Sequence, residues 1–229
     1  MNIILASGSP RRQQFLRDLG LNFQVVVADI DETPLPSESP EVLVERLASS
    51  KARAVAKKIV QQKKAADTQE RNPLLIIAAD TVVALDGEIL GKPTDSEDAA
   101  LMLARLRSRP HQVWSGLTVL SCDEEMNIDR QLNRINRTDV YMRGYSDEEI
   151  ERYVASGDPL DKAGAYAIQH PTFAPGERLD GCISGVMGLS LDDLVTLLGK
   201  MGLPVQCDLH PICEQYAKFS CCQRNRRRD

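Results

Sequence analysis

Leu74-Leu75-Ile76-Ile77-Ala78-Ala79-Asp80-Thr81-Val82-Val83-Ala84-Leu85 is apolar and rich in β-branched residues, with no alternation of polar and apolar positions. A run of this kind suits a central strand covered on both faces, because a strand with one wet face alternates with period two. Helices on both sides of the sheet follow from it, and with them the α/β class. Asp80 interrupts the run. An ionised carboxylate in such surroundings is costly unless it is paired, metal-bound or beside water in a cleft. A carboxylate that caps a backbone turn is the bland account. An acid lodged in a central strand is a candidate for chemistry.

Upstream, Asn2 to Ala6 reads as another strand entering the core. Ser9 supplies an N-cap oxygen, Pro10 a pre-set first helical position, and Gly20 a stop, so a helix is predicted between them. Its first turn favours acids, because unpaired N–H groups there carry partial positive charge. Arg11 and Arg12 stand there instead. Two solvated arginines are one account. The other is an anion at the strand–helix junction, held by backbone N–H, the Ser7 and Ser9 hydroxyls and two guanidinium groups. Arg12 lies three, four and seven positions before Phe15, Leu16 and Leu19 and so faces the body of the protein. We read a phosphate site.

Phe23 to Val27 reads as a strand, followed by the acidic Asp29-Ile30-Asp31-Glu32 and a loop rich in Pro and Ser. Three acids in four positions could hold a divalent cation, although a solvated loop accounts for them as well. Ser39 and Pro40 start a helix predicted over 41–62. Lys51 sits within its apolar stripe, four residues from Leu47 and from Val55. Its stem either snorkels past the core to water or aims the ammonium into a cleft, at an anion. Residues 61–72 read as a frayed helix end and a loop.

Downstream of the central run, Asp86-Gly87 makes a hairpin to a short strand, Glu88 to Leu90, which returns Lys92 beside it. Helices are predicted over 95–106, 147–155 and 191–201, and strands over 112–121, 132–142 and 181–189. A brief strand is expected within Ala165 to Gln169. The whole is a mixed, bent sheet with helices on its faces and two lobes around a central cleft. Residues 1–202 form the expected domain, and 203–229 an appendage. There, Cys207, His210 and Cys213, with Cys221-Cys222, could coordinate zinc, but the spacing matches no common finger. A mobile or packed arm with thiols is the simpler reading, and the terminal arginines read as a solvated end.

The chain of 229 residues is 42% hydrophobic and 27% charged, which places it among ordinary globular proteins. A formal net charge of −5 and 4% aromatic residues argue against a nucleic-acid binder. The longest apolar run, Leu74 to Ala79, is far too short to cross a bilayer. Met1 opens directly on a strand with no signal peptide, so reduced thiols and a cytoplasmic location are expected. Only three histidines occur, which leaves a histidine-based triad little support.

Five motifs in order carry a resemblance: Leu5-Ala6-Ser7-Gly8-Ser9-Pro10-Arg11-Arg12, Ala79-Asp80-Thr81-Val82-Val83, Gly91-Lys92-Pro93, Tyr153-Val154-Ala155-Ser156-Gly157, and Asp161-Lys162-Ala163-Gly164-Ala165-Tyr166-Ala167-Ile168-Gln169. Together they resemble the Maf-like nucleoside triphosphate pyrophosphatases, over residues 2 to about 200, and most closely the dTTP/UTP branch. The resemblance implies a Maf/ITPase-like fold and hydrolysis between the α- and β-phosphates, giving a monophosphate and pyrophosphate. It implies Asp80 as the general base for water, and substrate binding by Ser7, Arg11, Arg12, Glu32, Lys51, Thr81, Lys92 and Gln169. Arg11, Thr81 and Gln169 are the positions it associates with base choice. A Mg²⁺ or Mn²⁺ ion, bound partly by substrate and by Glu32 or Asp80, and a homodimer are implied too, with no nucleic-acid or membrane partner. Ser50, His170, Ser190 and the glycine-free Arg107-Ser108-Arg109 depart from the family's usual residues, and His170 adjoins Gln169. Two other readings stay open: a pyrophosphatase for non-standard nucleotides, and a nucleotide-sensing regulator without turnover.

Overall fold

A computed structural model describes residues 2–65, 73–216 and 219. In chain order it has β1 (Asn2–Leu5), α1 (Pro10–Asp18), β2 (Phe23–Val25), α2 (Pro40–Ala65), β3 (Leu74–Leu85), β4 (Glu88–Leu90) and α3 (Ser96–Leu106). Then come β5 (Pro110–Cys122), β6 (Ile128–Met142), α4 (Asp147–Ala155), β7 (Gly176–Asp180), α5 (Ile183–Val186), α6 (Leu191–Lys200) and α7 (Leu209–Glu214). The strands make one seven-stranded sheet in the order β2-β1-β3-β5-β6-β7, with β4 paired to β3 off that path. β1 runs parallel to β2 and β3, whereas β3, β5, β6 and β7 pair antiparallel in turn. Parallel neighbours need crossovers, which α1 and α2 provide.

The two-sided burial expected of Leu74–Leu85 is realised residue by residue. Leu75, Ile77 and Ala79 join the larger core with Leu16, Leu103, Ile150 and Leu194. Leu74, Ile76 and Ala78 face the other way, onto Ala52, Val55 and Ile59 of α2. The fold is therefore mixed α/β, with helices on both faces of the sheet. α1 begins as its residues dictate: the Ser9 hydroxyl accepts the Arg12 N–H at 3.5 Å with Pro10 in the first turn, and Gly20 closes the far end at φ 73°.

Gly116 sets how closely α2 lies on the sheet. A Cβ there would stand 2.3 Å from the Val44 carbonyl oxygen and 2.5 Å from its carbon, both backbone atoms. Gly116→Ala is expected to cost about 3 kcal/mol, the upper end of ordinary overpacking. The melting temperature would drop by roughly 6–12 °C for a chain of this size. Differential scanning calorimetry checks this, and a melting point equal to the parent's would refute the close packing.

Three expectations change. The stretch expected as a final strand over 181–189 is a bend into α5, which the Cys182 side chain caps by accepting the Gly185 N–H at 3.4 Å. The last strand is instead the polar Gly176–Asp180, whose residues are half-buried or exposed because it edges the sheet. The brief strand within Ala165–Gln169 is irregular backbone following a 3₁₀ turn in which Gly164 and Ala165 adopt φ 68° and 59°. β2 ends at Val25, two residues short of the predicted Val27, whereas β5 and β6 extend past their predicted ends.

Beyond α6, the short α7 packs onto the body. Leu209, Ile212 and Cys213 are buried in the core cluster that also holds Phe15, and the Tyr216 ring meets Phe15 edge-on at 5.2 Å. The Tyr216 hydroxyl donates to Asp18 of α1. Cys221, Cys222 and the terminal arginines lie outside the described residues, as does most of the loop predicted before β3. Among the described residues, no three His, Cys, Asp or Glu side chains are grouped to hold a metal, and no helix is long and apolar enough to cross a membrane.

Candidate active site

The site begins as a gap in the sheet. β1 ends at Leu5, opposite Ile77, and β4 joins the same edge of β3 at Val83. Among the described residues, 78–82 therefore have no strand neighbour on that edge, and Asp80 and Thr81 fall inside the opening. On the other edge, register sets Asp80 beside Gly116 and Thr81 beside Ser115 of β5. Cross-strand neighbours share a face. Gly116 faces α2, so Asp80 faces α2 as well, while Thr81 points to the opposite side.

Lys51 waits on α2. Its Nζ lies 2.6 Å from Asp80 Oδ1 and 3.0 Å from Glu32 Oε1. Lys51 and Asp80 are both buried, whereas Glu32 stays more than half exposed at the end of the acidic loop. Of the two accounts of Lys51, the one with its ammonium aimed into a cleft describes the structure.

On the opposite side, Ser115 donates its hydroxyl hydrogen to the Gly185 carbonyl at 2.7 Å. Thr81 must then donate to Ser115 across 2.8 Å, leaving its own oxygen to accept from Arg12 Nη2 at 3.4 Å. Arg12 also donates through Nε to the Gly188 carbonyl at 2.8 Å and through Nη1 to Ser7 Oγ at 3.2 Å. One guanidinium thus ties together the loop after β1, the middle of β3 and the bend after α5. Burial holds Arg12 below its ordinary pKa and Arg11 adds to this, while Asp80 and Glu32 oppose it.

A cleft of about 650 Å³ opens over these groups. Ser7, Arg11, Arg12, Glu32, Lys51, Asp80, Thr81, Lys92 and Gln169 all line it, as do Val83, Val113, Tyr166 and Met187. Residues from eight separate stretches of chain are thereby brought to one space. Among the described residues, Arg11 and Lys92 make no hydrogen bond or ion pair with the protein. Two cations without a protein partner, in the cleft that the first turn of α1 also lines, give it an anion-attracting wall.

Sequence reasoning missed Lys162 as a group of the site. It lines the cleft with Nζ 2.6 Å from Asp161 Oδ1 and 3.0 Å from Asp158 Oδ1. Its place directly before the small residues Ala163-Gly164-Ala165 was the available signal. His111 was missed too: fully buried, it meets the Tyr166 hydroxyl at 2.7 Å behind the cleft wall, and burial lowers its pKa to about 4.

Residues 2–201 match the sequence profile of the family described as Maf-like protein. The chain belongs to that family. Similar to this Maf-like chain are the dTTP/UTP pyrophosphatases of Pelotomaculum thermopropionicum, 41% identical over 204 residues, and of Geotalea uraniireducens, 44% identical over 201. The first alignment covers 89% of this chain and 98% of the relative, the second 88% and 95%. The Myxococcus xanthus dTTP/UTP pyrophosphatase is 43% identical over 204 residues, covering 89% and 94%. Among solved structures, a nucleoside-triphosphatase / dITP/XTP pyrophosphatase from Mycobacterium abscessus matches 62% of this chain and 73% of its own, at 19% identity and a TM-score of 0.35. That score is too low to define a shared fold. The Maf-like match stops at 201, so α7 and its contacts with α1 lie beyond it.

Proposed function

We propose that this chain hydrolyses nucleoside triphosphates, dTTP and UTP foremost, between the α- and β-phosphates, releasing a monophosphate and pyrophosphate. The observation that carries the reading is Asp80: a buried carboxylate at a break in the sheet edge, on the wall of a cleft that also holds Arg11, Arg12, Lys51 and Lys92. The relatives' activity on dTTP and UTP supports the choice of nucleotide.

Phosphoryl transfer asks a protein mainly for positioning and charge neutralisation. Arg11 and Lys92 provide unpaired positive charge for the polyphosphate, and Ser7 with the α1 N-terminus adds neutral donors. Asp80 accepts a proton from the attacking water and aims it at phosphorus. For that, Lys51 must share its attention with the phosphates, since its ammonium now sits on Asp80. Gln169 and Thr81 read the base edge in this proposal, with Arg11 beside them.

A divalent cation fits the donor set. Asp80 Oδ1 and Glu32 Oε1 converge on a single cationic atom at 2.6 and 3.0 Å, and hard carboxylate oxygens suit Mg²⁺ or Mn²⁺. Asp80 and Glu32 would hold such an ion together with the substrate, and it would supply neutralisation and polarisation of phosphate oxygens. A homodimer and a cytoplasmic location belong to the same proposal, on the family resemblance.

A nucleotide panel with pyrophosphate detection tests the reading. dTTP or UTP is expected to give the highest kcat/KM, and ITP ranking above both would overturn the pyrimidine choice.

A further inference from the structure

Tyr153 of α4 is 3% exposed, and both functions of its hydroxyl are engaged. It donates to Asp158 Oδ2 at 2.6 Å and accepts the Ala167 N–H at 3.0 Å. Its ring stacks on Phe173, with centroids 4.3 Å apart and planes 14° from parallel, and meets the His170 ring at 4.7 Å. The loop closes on itself around these contacts: the His170 N–H donates to Ala167 O at 3.0 Å and the Phe173 N–H to His170 Nδ1 at 2.9 Å. Gln169 therefore sits between two residues that Tyr153 touches, one through its hydroxyl and one through its ring.

Asp158 is itself held, since Lys162 Nζ reaches both its carboxylate, at 3.0 Å, and its backbone carbonyl, at 2.5 Å. Burial opposes ionisation of Asp158, but the hydrogen bonds from Tyr153 and Lys162 prevail and leave its pKa below the ordinary value. Burial first and Asp158 second drive the Tyr153 phenol far above its usual range, so it stays a donor. At the end of this chain, Gln169 Oε1 is buried with no hydrogen-bond partner among the described residues. An acceptor left in that condition can take a donor from outside, and it discriminates only if its orientation is fixed.

We infer that Tyr153 is a positioning residue for base discrimination: its hydroxyl and ring fix the segment 167–173 from which Gln169 meets the nucleotide. The inference rests on the base-reading role proposed for Gln169. A tyrosine that merely filled the core would affect all substrates alike. A tyrosine that orients the reading group changes the ratio between a substrate that matches the group and one that does not.

The test uses the full chain and measures kcat/KM for UTP and ITP in Tyr153→Phe, Asp158→Asn and Gln169→Ala. Tyr153→Phe keeps the ring stack and removes only the hydroxyl. It is expected to lower the UTP-to-ITP ratio roughly tenfold through KM for UTP, as suits the loss of the charge-assisted bond to Asp158 together with the bond from the Ala167 N–H. Asp158→Asn leaves an acceptor without its charge and is expected to move the ratio the same way by about threefold. Ratios within twofold of the parent in both variants, while Gln169→Ala drops it, overturn the inference and leave the role of Gln169 standing. Equal losses on UTP and ITP overturn it too. An unchanged ratio in Gln169→Ala overturns the base-reading role, and the inference with it.

Discussion

Asp80→Asn is expected to lower turnover of UTP by about 10²–10⁴-fold, the range that a positioned general base contributes. The amide has the shape of the carboxylate and cannot take the proton. The fold should survive the change. Lys51 keeps an uncharged acceptor where Asp80 Oδ1 stood at 2.6 Å, and it keeps the ionised Glu32 at 3.0 Å. Nucleotide binding is expected to hold or tighten, because a negative charge beside the polyphosphate has been removed. Pyrophosphate release and equilibrium dialysis with UTP separate the two effects. Parent-like turnover in this variant would falsify the assignment of Asp80, whereas lost binding with lost turnover would point to a structural role.

Arg12→Ala is expected to reduce both stability and activity, because the same guanidinium serves both. It removes bonds to the Gly188 carbonyl, Ser7 and Thr81 together. Hydrogen bonds from charged donors contribute about 1.5–3 kcal/mol each, and solvent entering a half-buried site offsets part of that. A net loss of about 2–4 kcal/mol is expected, read as a shift in the urea midpoint at unchanged slope. The value of kcat/KM for UTP should drop at least 10²-fold, since the loop bearing Ser7 and the bend bearing Gly188 lose their common tie. Arg12→Lys is expected to recover little of either, because one ammonium cannot span three acceptors in a fixed plane. Parent-like stability in the alanine variant would refute the tie.

Much of this site was legible in the chain because its residues violate local rules. Asp80 stands in an otherwise unbroken apolar strand, Lys51 in an apolar helical stripe, and Arg11-Arg12 in a helix turn that favours acids. Each violation is local, so a single sequence displays it. The stretch 181–189 shows the reverse. Its apolar residues suggested a strand, but Gly185 and Gly188 serve close approaches, one to Asn136 and the other to Arg12, that arise only after folding. The edge strand Gly176–Asp180 is too polar to announce itself. The partners of Tyr153 were equally hidden: the residue stands in a motif of the chain, but nothing local shows that its hydroxyl will meet a backbone amide fourteen residues later.

The docking of α7 bears on how the enzyme can be handled. Cutting the chain at 201, where the family profile's match ends, would strip Leu209, Ile212 and Cys213 from the core that holds Phe15. An oily scar would open on the back of the same helix whose other end presents the arginines. Activity lost on such trimming would reflect clumping of a flayed body, and the chemistry of the cleft would be blameless.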